Sequence, residues 1–105
     1  MKLNNGRYVV ETDNADQIAV SPMRKEGGGY SHETEKIFTL WRSKTTGKHF
    51  ITMAYREYII GCFFLKRGTA IEGNTLVCTS EQDDFINQCW RCGLPLPQEM
   101  QIVVA

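Results

Sequence analysis

The sequence predicts an α+β fold: a mainly antiparallel sheet with a central β-hairpin and one helix, at about residues 79–92, packed on it. Three observations carry that expectation. Two apolar, β-branched and aromatic runs, residues 36–42 and 48–54, flank the polar connection Ser43-Lys44-Thr45-Thr46-Gly47, which is hairpin spacing with glycine at the turn's end. Residues 79–93 hold a hydroxyl cap, early acidic side chains, an apolar stripe and a terminal glycine. Several further runs are of strand length and bounded by turn formers.

Taken in order, residues 7–12 read as a first strand. Asp13-Asn14-Ala15-Asp16 supplies a turn before a short strand at Ile18-Ala19-Val20, an opening meander. From Ser21 to Glu35 the apolar density collapses around Gly27-Gly28-Gly29, so residues 21–35 read as an exposed glycine-rich loop. After the hairpin, residues 54–65 fit either a buried strand or a helical stripe, and their aromatic and β-branched content favours strand. Glu72-Gly73-Asn74 reads as a turn leading into a strand at residues 75–78.

In the helix, Thr79 or Ser80 caps the first amides, Gln82 or Asp83 completes a capping box, and Glu81, Asp83 and Asp84 complement the dipole. Phe85, Ile86, Cys89, Trp90 and Cys92 form its apolar face, and Gly93 stops it ahead of Pro95. Residues 100–104 close the chain as a strand whose exposed edge, Ile102-Val103-Val104, invites self-association. At 105 residues the chain has room for one core, so 1–105 is read as a single domain.

Composition narrows the function classes. The longest apolar run, residues 58–65, is far shorter than the ~20 residues that span a bilayer. The first seven residues hold no apolar signal core, so membrane insertion and secretion are disfavoured. With no glycosylation sequon either, the four cysteines point to a reducing, cytoplasmic setting.

Cys62, Cys78, Cys89 and Cys92 have the number and ligand type for a tetrahedral zinc site, with His49 as a substitute ligand. Only Cys89 and Cys92 form a short chelating pair, however, and the preferred reading is small core residues with no metal and no cofactor. Thiol–disulfide catalysis is disfavoured because the pair lies at the helix's negative end. His32, Glu33 and Glu35 are the residues a small-ligand or metal-binding domain would use. No serine has a nucleophile-elbow context, and an enzyme is the less favoured class.

The formal net charge is zero, but its distribution is not even: −1 over residues 1–41, +5 over 42–67 and −4 over 68–105. Arg42, Lys44 and Lys48 bracket the hairpin tip, with Trp41, His49, Phe50 and Arg56 nearby. The leading expectation is therefore a non-enzymatic binding or regulatory module, of the inhibitor, immunity or phage-encoded host-modulator type, docking this basic hairpin on an acidic protein surface. The alternative is a single-stranded nucleic-acid or RNA-binding domain, with Trp41 and Phe50 stacking on bases. Both expectations assume that the positive middle forms one outward patch away from the acidic tail. No stretch matches a motif set that could be carried over residue by residue.

Overall fold

The computed structural model describes residues 1–27, 32–59 and 70–100. In chain order the elements are β1 (Lys2–Asn4), β2 (Val9–Glu11), a 3₁₀ turn (Thr12–Asn14), β3 (Ala15–Val20), β4 (Arg24–Glu26), β5 (His32–Ser43), β6 (His49–Ile59), β7 (Ala70–Thr79), α1 (Phe85–Arg91) and a 3₁₀ turn (Gln98–Met100). The fold is α+β: among the described residues, a five-stranded antiparallel sheet ordered β3-β5-β6-β7 with β4 also on β5, a separate β1–β2 pair, and a single helix.

The central hairpin stands where the sequence puts it. Arg42 pairs with His49, and the Ser43 amide donates to the Lys48 carbonyl at 2.8 Å. Within the turn the Gly47 amide donates to the Ser43 carbonyl at 2.9 Å, and the Ser43 hydroxyl accepts from the Thr46 amide at 3.3 Å. Residues 54–59 continue β6 as strand, while 60–65 lie outside the described residues.

Two bulges let one sheet serve two cores. In β7, Cys78 pairs with Ile51 and Leu76 with Thr52, so Val77 is the extra residue. Leu76 and Cys78, which an unbroken strand would point the same way, therefore face opposite sides. Cys78 joins Phe38, Leu40 and Ile51 against Phe85, Cys89, Cys92 and Leu94. Leu76 joins Phe50 against Leu3, with Tyr8, Val10, Ala15 and Trp41 around them. In β3 a shift at Ile18 does the same, placing Gln17 beside Trp41 and Ala19 beside Leu40.

The helix is shorter than the sequence implies, and its start differs for a physical reason. Ser80 donates its amide to the His49 carbonyl at 2.8 Å and accepts the His49 amide on its hydroxyl at 3.2 Å, which holds it to the sheet. Thr79 is thus the last residue of β7 and Asp84 the N-cap, without a side-chain cap bond. Gln82 still reaches back, its Oε1 accepting the Thr79 amide at 3.0 Å, so half of the capping box survives as a turn. Phe85, Cys89 and Cys92 recur at helical spacing and face the sheet; Ile86 and Trp90, expected on the same face, are 45% and 78% exposed.

The C-terminus of the helix is as the sequence predicts. Gly93 takes φ +69°, the Leu94 amide donates to the Cys89 carbonyl at 2.9 Å and the Gly93 amide to that of Trp90 at 3.2 Å, a Schellman closure. Leu94 is thereby delivered into the core beside Cys89.

Other expectations are corrected. β2 does not pair with β3; it pairs with β1, a strand too short to show in the sequence pattern. The Met1 ammonium anchors that pair through Glu11 Oε1 at 2.5 Å and Asp13 at 3.1 Å, and Thr12 donates its amide to the Met1 carbonyl at 3.0 Å. Residues 21–35 are not one loop: β4 pairs with residues 34–36 of β5, and Lys36 bridges Glu26 at 2.7 Å. Polar side chains can form a strand when the ladder supplies the backbone bonds, and that segment carries no hydrophobic alternation to announce it. Glu72, Gly73 and Asn74 lie within β7, not in a turn. Met100 belongs to a 3₁₀ turn, and 101–104 lie outside the described residues.

Candidate functional site at the hairpin end

The residues singled out in the sequence divide three ways. Arg42, Lys44 and Lys48 are exposed at the hairpin end, as expected. His49 and Phe50 are buried beside them and Trp41 is half-buried. Phe50 is 3% exposed and Trp41 half-buried, their rings stacked at 6.2 Å and 10°, and the Trp41 indole N–H donates to Thr52 Oγ1 at 2.8 Å. Phe50 therefore has no open face for a nucleobase. Arg56 stands seven residues from His49 along β6, about 23 Å at strand rise, and pairs with Glu72.

The separation of charge along the chain does not persist in space. Lys48 pairs with Glu81, Arg56 with Glu72, and Lys44 with Asp16 at 3.7 Å, so acidic residues before and after the basic stretch fold back on it. The antiparallel register explains this: β7 lies against β6 with Arg56 opposite Glu72, and β3 lies against β5 with Asp16 opposite Arg42. Arg42 has no ion pair with a carboxylate among the described residues, and it bears on His49, whose pKa lies below its ordinary value. Burial is the main cause there, the Arg42 charge adds to it, and Glu99, whose Oε2 is 3.7 Å from His49 Nε2, opposes it.

No family model, curated protein or solved structure matches this chain.

The three described cysteines fall within the core. Cys78, Cys89 and Cys92 are buried, unpaired thiols in one cluster. Burial and neighbouring negative charge push the Cys78 thiol up to about 12; burial pushes Cys89 up to about 11 and also raises Cys92. Cys62 lies outside the described residues. Among the described residues no three His, Cys, Asp or Glu side chains gather in a metal-binding arrangement. Glu33 and Glu35 stand on one face of β5; of His32 only the backbone, at the start of that strand, is described.

A cleft of about 320 Å³ opens between the hairpin and β2, bounded by Tyr8, Val10, Phe50 and Thr79, with Lys48 and Glu81 also on its walls. Thr79 is 8% exposed, and its Oγ1 is buried without a hydrogen-bond partner among the described residues. In the sequence Thr79 reads as a helix cap, and only the pairing of β7 with β6 brings it beside Phe50.

Proposed function

We propose that this protein is a non-enzymatic binding module that presents the end of its β5–β6 hairpin to an acidic protein surface, in the manner of a small inhibitor or regulatory domain. The observation that carries the reading is the exposure of Arg42, Lys44 and Lys48 on a turn whose backbone is fixed by its own hydrogen bonds. A rigid turn loses little conformational freedom on docking.

The carboxylates that meet these cations do not close the surface. The Lys44–Asp16 and Lys48–Glu81 side chains are each between 43% and 62% exposed, and such pairs contribute about 0–1 kcal/mol. A partner's carboxylates can replace them at little cost. The contact is the hairpin end alone: Trp41, His49 and Phe50 support it from within, and Arg56 is too distant to share it.

Fluorescence anisotropy with a labelled acidic peptide and a labelled single-stranded oligonucleotide, at two salt concentrations, tests the reading. Peptide binding that weakens with salt and is lost in Arg42→Glu/Lys44→Glu, with an unchanged melting temperature, is the expected result. Peptide binding unaffected by the double substitution would refute it, and binding of the oligonucleotide alone would transfer the site to nucleic acid.

A further inference from the structure

We infer that the cleft between the hairpin and β2 binds a zwitterionic, amino-acid-sized ligand bearing a hydroxylated aromatic ring, at a site that adjoins the docking hairpin end and shares Lys48 with it but does not use Arg42 or Lys44. The register puts Phe50 and Thr79 side by side on the sheet face that β2 overlies, with Tyr8 and Val10 opposite. Tyr8 and Val10 supply the accessible ring and aliphatic surface, while Phe50 and Thr79, 3% and 8% exposed, form the floor of a space of about 320 Å³, at the lower end of the range of small-molecule sites.

Thr79 Oγ1 supplies the polar demand. A hydroxyl removed from water and given no partner among the described residues is a cost that folded proteins rarely leave in place, and a turn of the Thr79 side chain about χ1 would bring it to a ligand's own hydroxyl. A threonine hydroxyl both donates and accepts, so a phenol suits it in either sense.

Lys48 and Glu81 set the ligand's charge. They pair across the cleft wall and are both solvent-exposed, so the pair opens cheaply. A ligand with one charge would satisfy one of them and strand the other. A zwitterion satisfies both, its carboxylate on Lys48 and its ammonium on Glu81. Glu11, which also borders the cleft, is already engaged by the Met1 ammonium and does not compete.

Calorimetric titration of the full chain with L-tyrosine, L-phenylalanine and N-acetyl-L-tyrosinamide tests each element. The expected result is saturable binding of both amino acids, with tyrosine tighter by up to about tenfold, the worth of one hydrogen bond. The uncharged amide should bind more weakly than tyrosine. In Thr79→Val, which keeps the side-chain shape, the preference for tyrosine over phenylalanine should vanish. No saturable binding of either amino acid at millimolar concentration would overturn the proposal, as would an amide that binds as well as tyrosine or a tyrosine preference that survives Thr79→Val. If Thr79→Val fails to fold, the three ligands on the unmodified chain still decide. Arg42→Glu/Lys44→Glu should leave tyrosine binding intact and Thr79→Val should leave acidic-peptide binding intact, so the two readings stand or fall separately.

Discussion

The ring of Tyr55 lies across the backbone of Gly73, so close that a Cβ on Gly73 would stand 2.3 Å from the Tyr55 hydroxyl oxygen and 2.5 Å from Cζ. The two residues are register partners on β6 and β7. A glycine inside a strand ordinarily weakens it, and here the ring covers the gap that the missing side chain leaves.

Gly73→Ala must therefore expel the ring. The expected loss is about 1 kcal/mol, and because one event accounts for it, Gly73→Ala in a Tyr55→Ala background should cost much less or become favourable. Urea denaturation of the four proteins of this cycle measures the coupling; strict additivity would show that the ring does not depend on the glycine.

The buried thiols should be silent toward disulfide reagents. With the Cys78 thiol near 12 and that of Cys89 near 11, roughly one molecule in 10³–10⁴ carries either thiolate at pH 8, and burial bars the reagent as well. In a Cys62→Ser variant, Ellman's reagent should find no fast-reacting thiol in the native protein and three in denaturant. A rapidly titrating native thiol would contradict the packing of the α1 core.

His49 makes stability depend on pH. Its pKa is lowered on folding, mainly by burial, so below the ordinary value of 6.5 the unfolded chain takes up a proton that the folded chain refuses. Its contribution is complete above that value and falls away as the pH drops from about 7 toward the lowered folded value. Glu99 opposes the shift, so Glu99→Gln should steepen the loss, whereas His49→Gln should flatten it. Melting temperatures between pH 5 and 8 decide; a profile unchanged in His49→Gln removes His49 as the source.

The elements legible in the sequence are those that chain-local chemistry determines. The hairpin could be read because its turn residues and flanking runs are contiguous, and the helix end because Gly93 and Pro95 follow the apolar stripe. Thr79 and Ser80 misled because they look like caps, while Ser80 is claimed by His49, 31 residues away. β4 and the first residues of β5 were illegible because their side chains do not alternate in polarity. The docking residues were half legible. Exposure of Arg42, Lys44 and Lys48 follows from their place in a tight turn, but the carboxylates that answer them arrive through strand pairing, which local composition does not encode. The cleft was not legible at all, since Thr79 acquires its meaning only beside Phe50.

The separate β1–β2 pair has a kinetic consequence. It covers Leu76, Phe50 and Trp41 through side-chain packing while sharing no ladder with the five-stranded sheet among the described residues. The N-terminal segment can thus peel away as a unit and rehydrate the smaller of the two apolar clusters with every rung of the main sheet intact, so its amide protons should exchange ahead of those of that sheet.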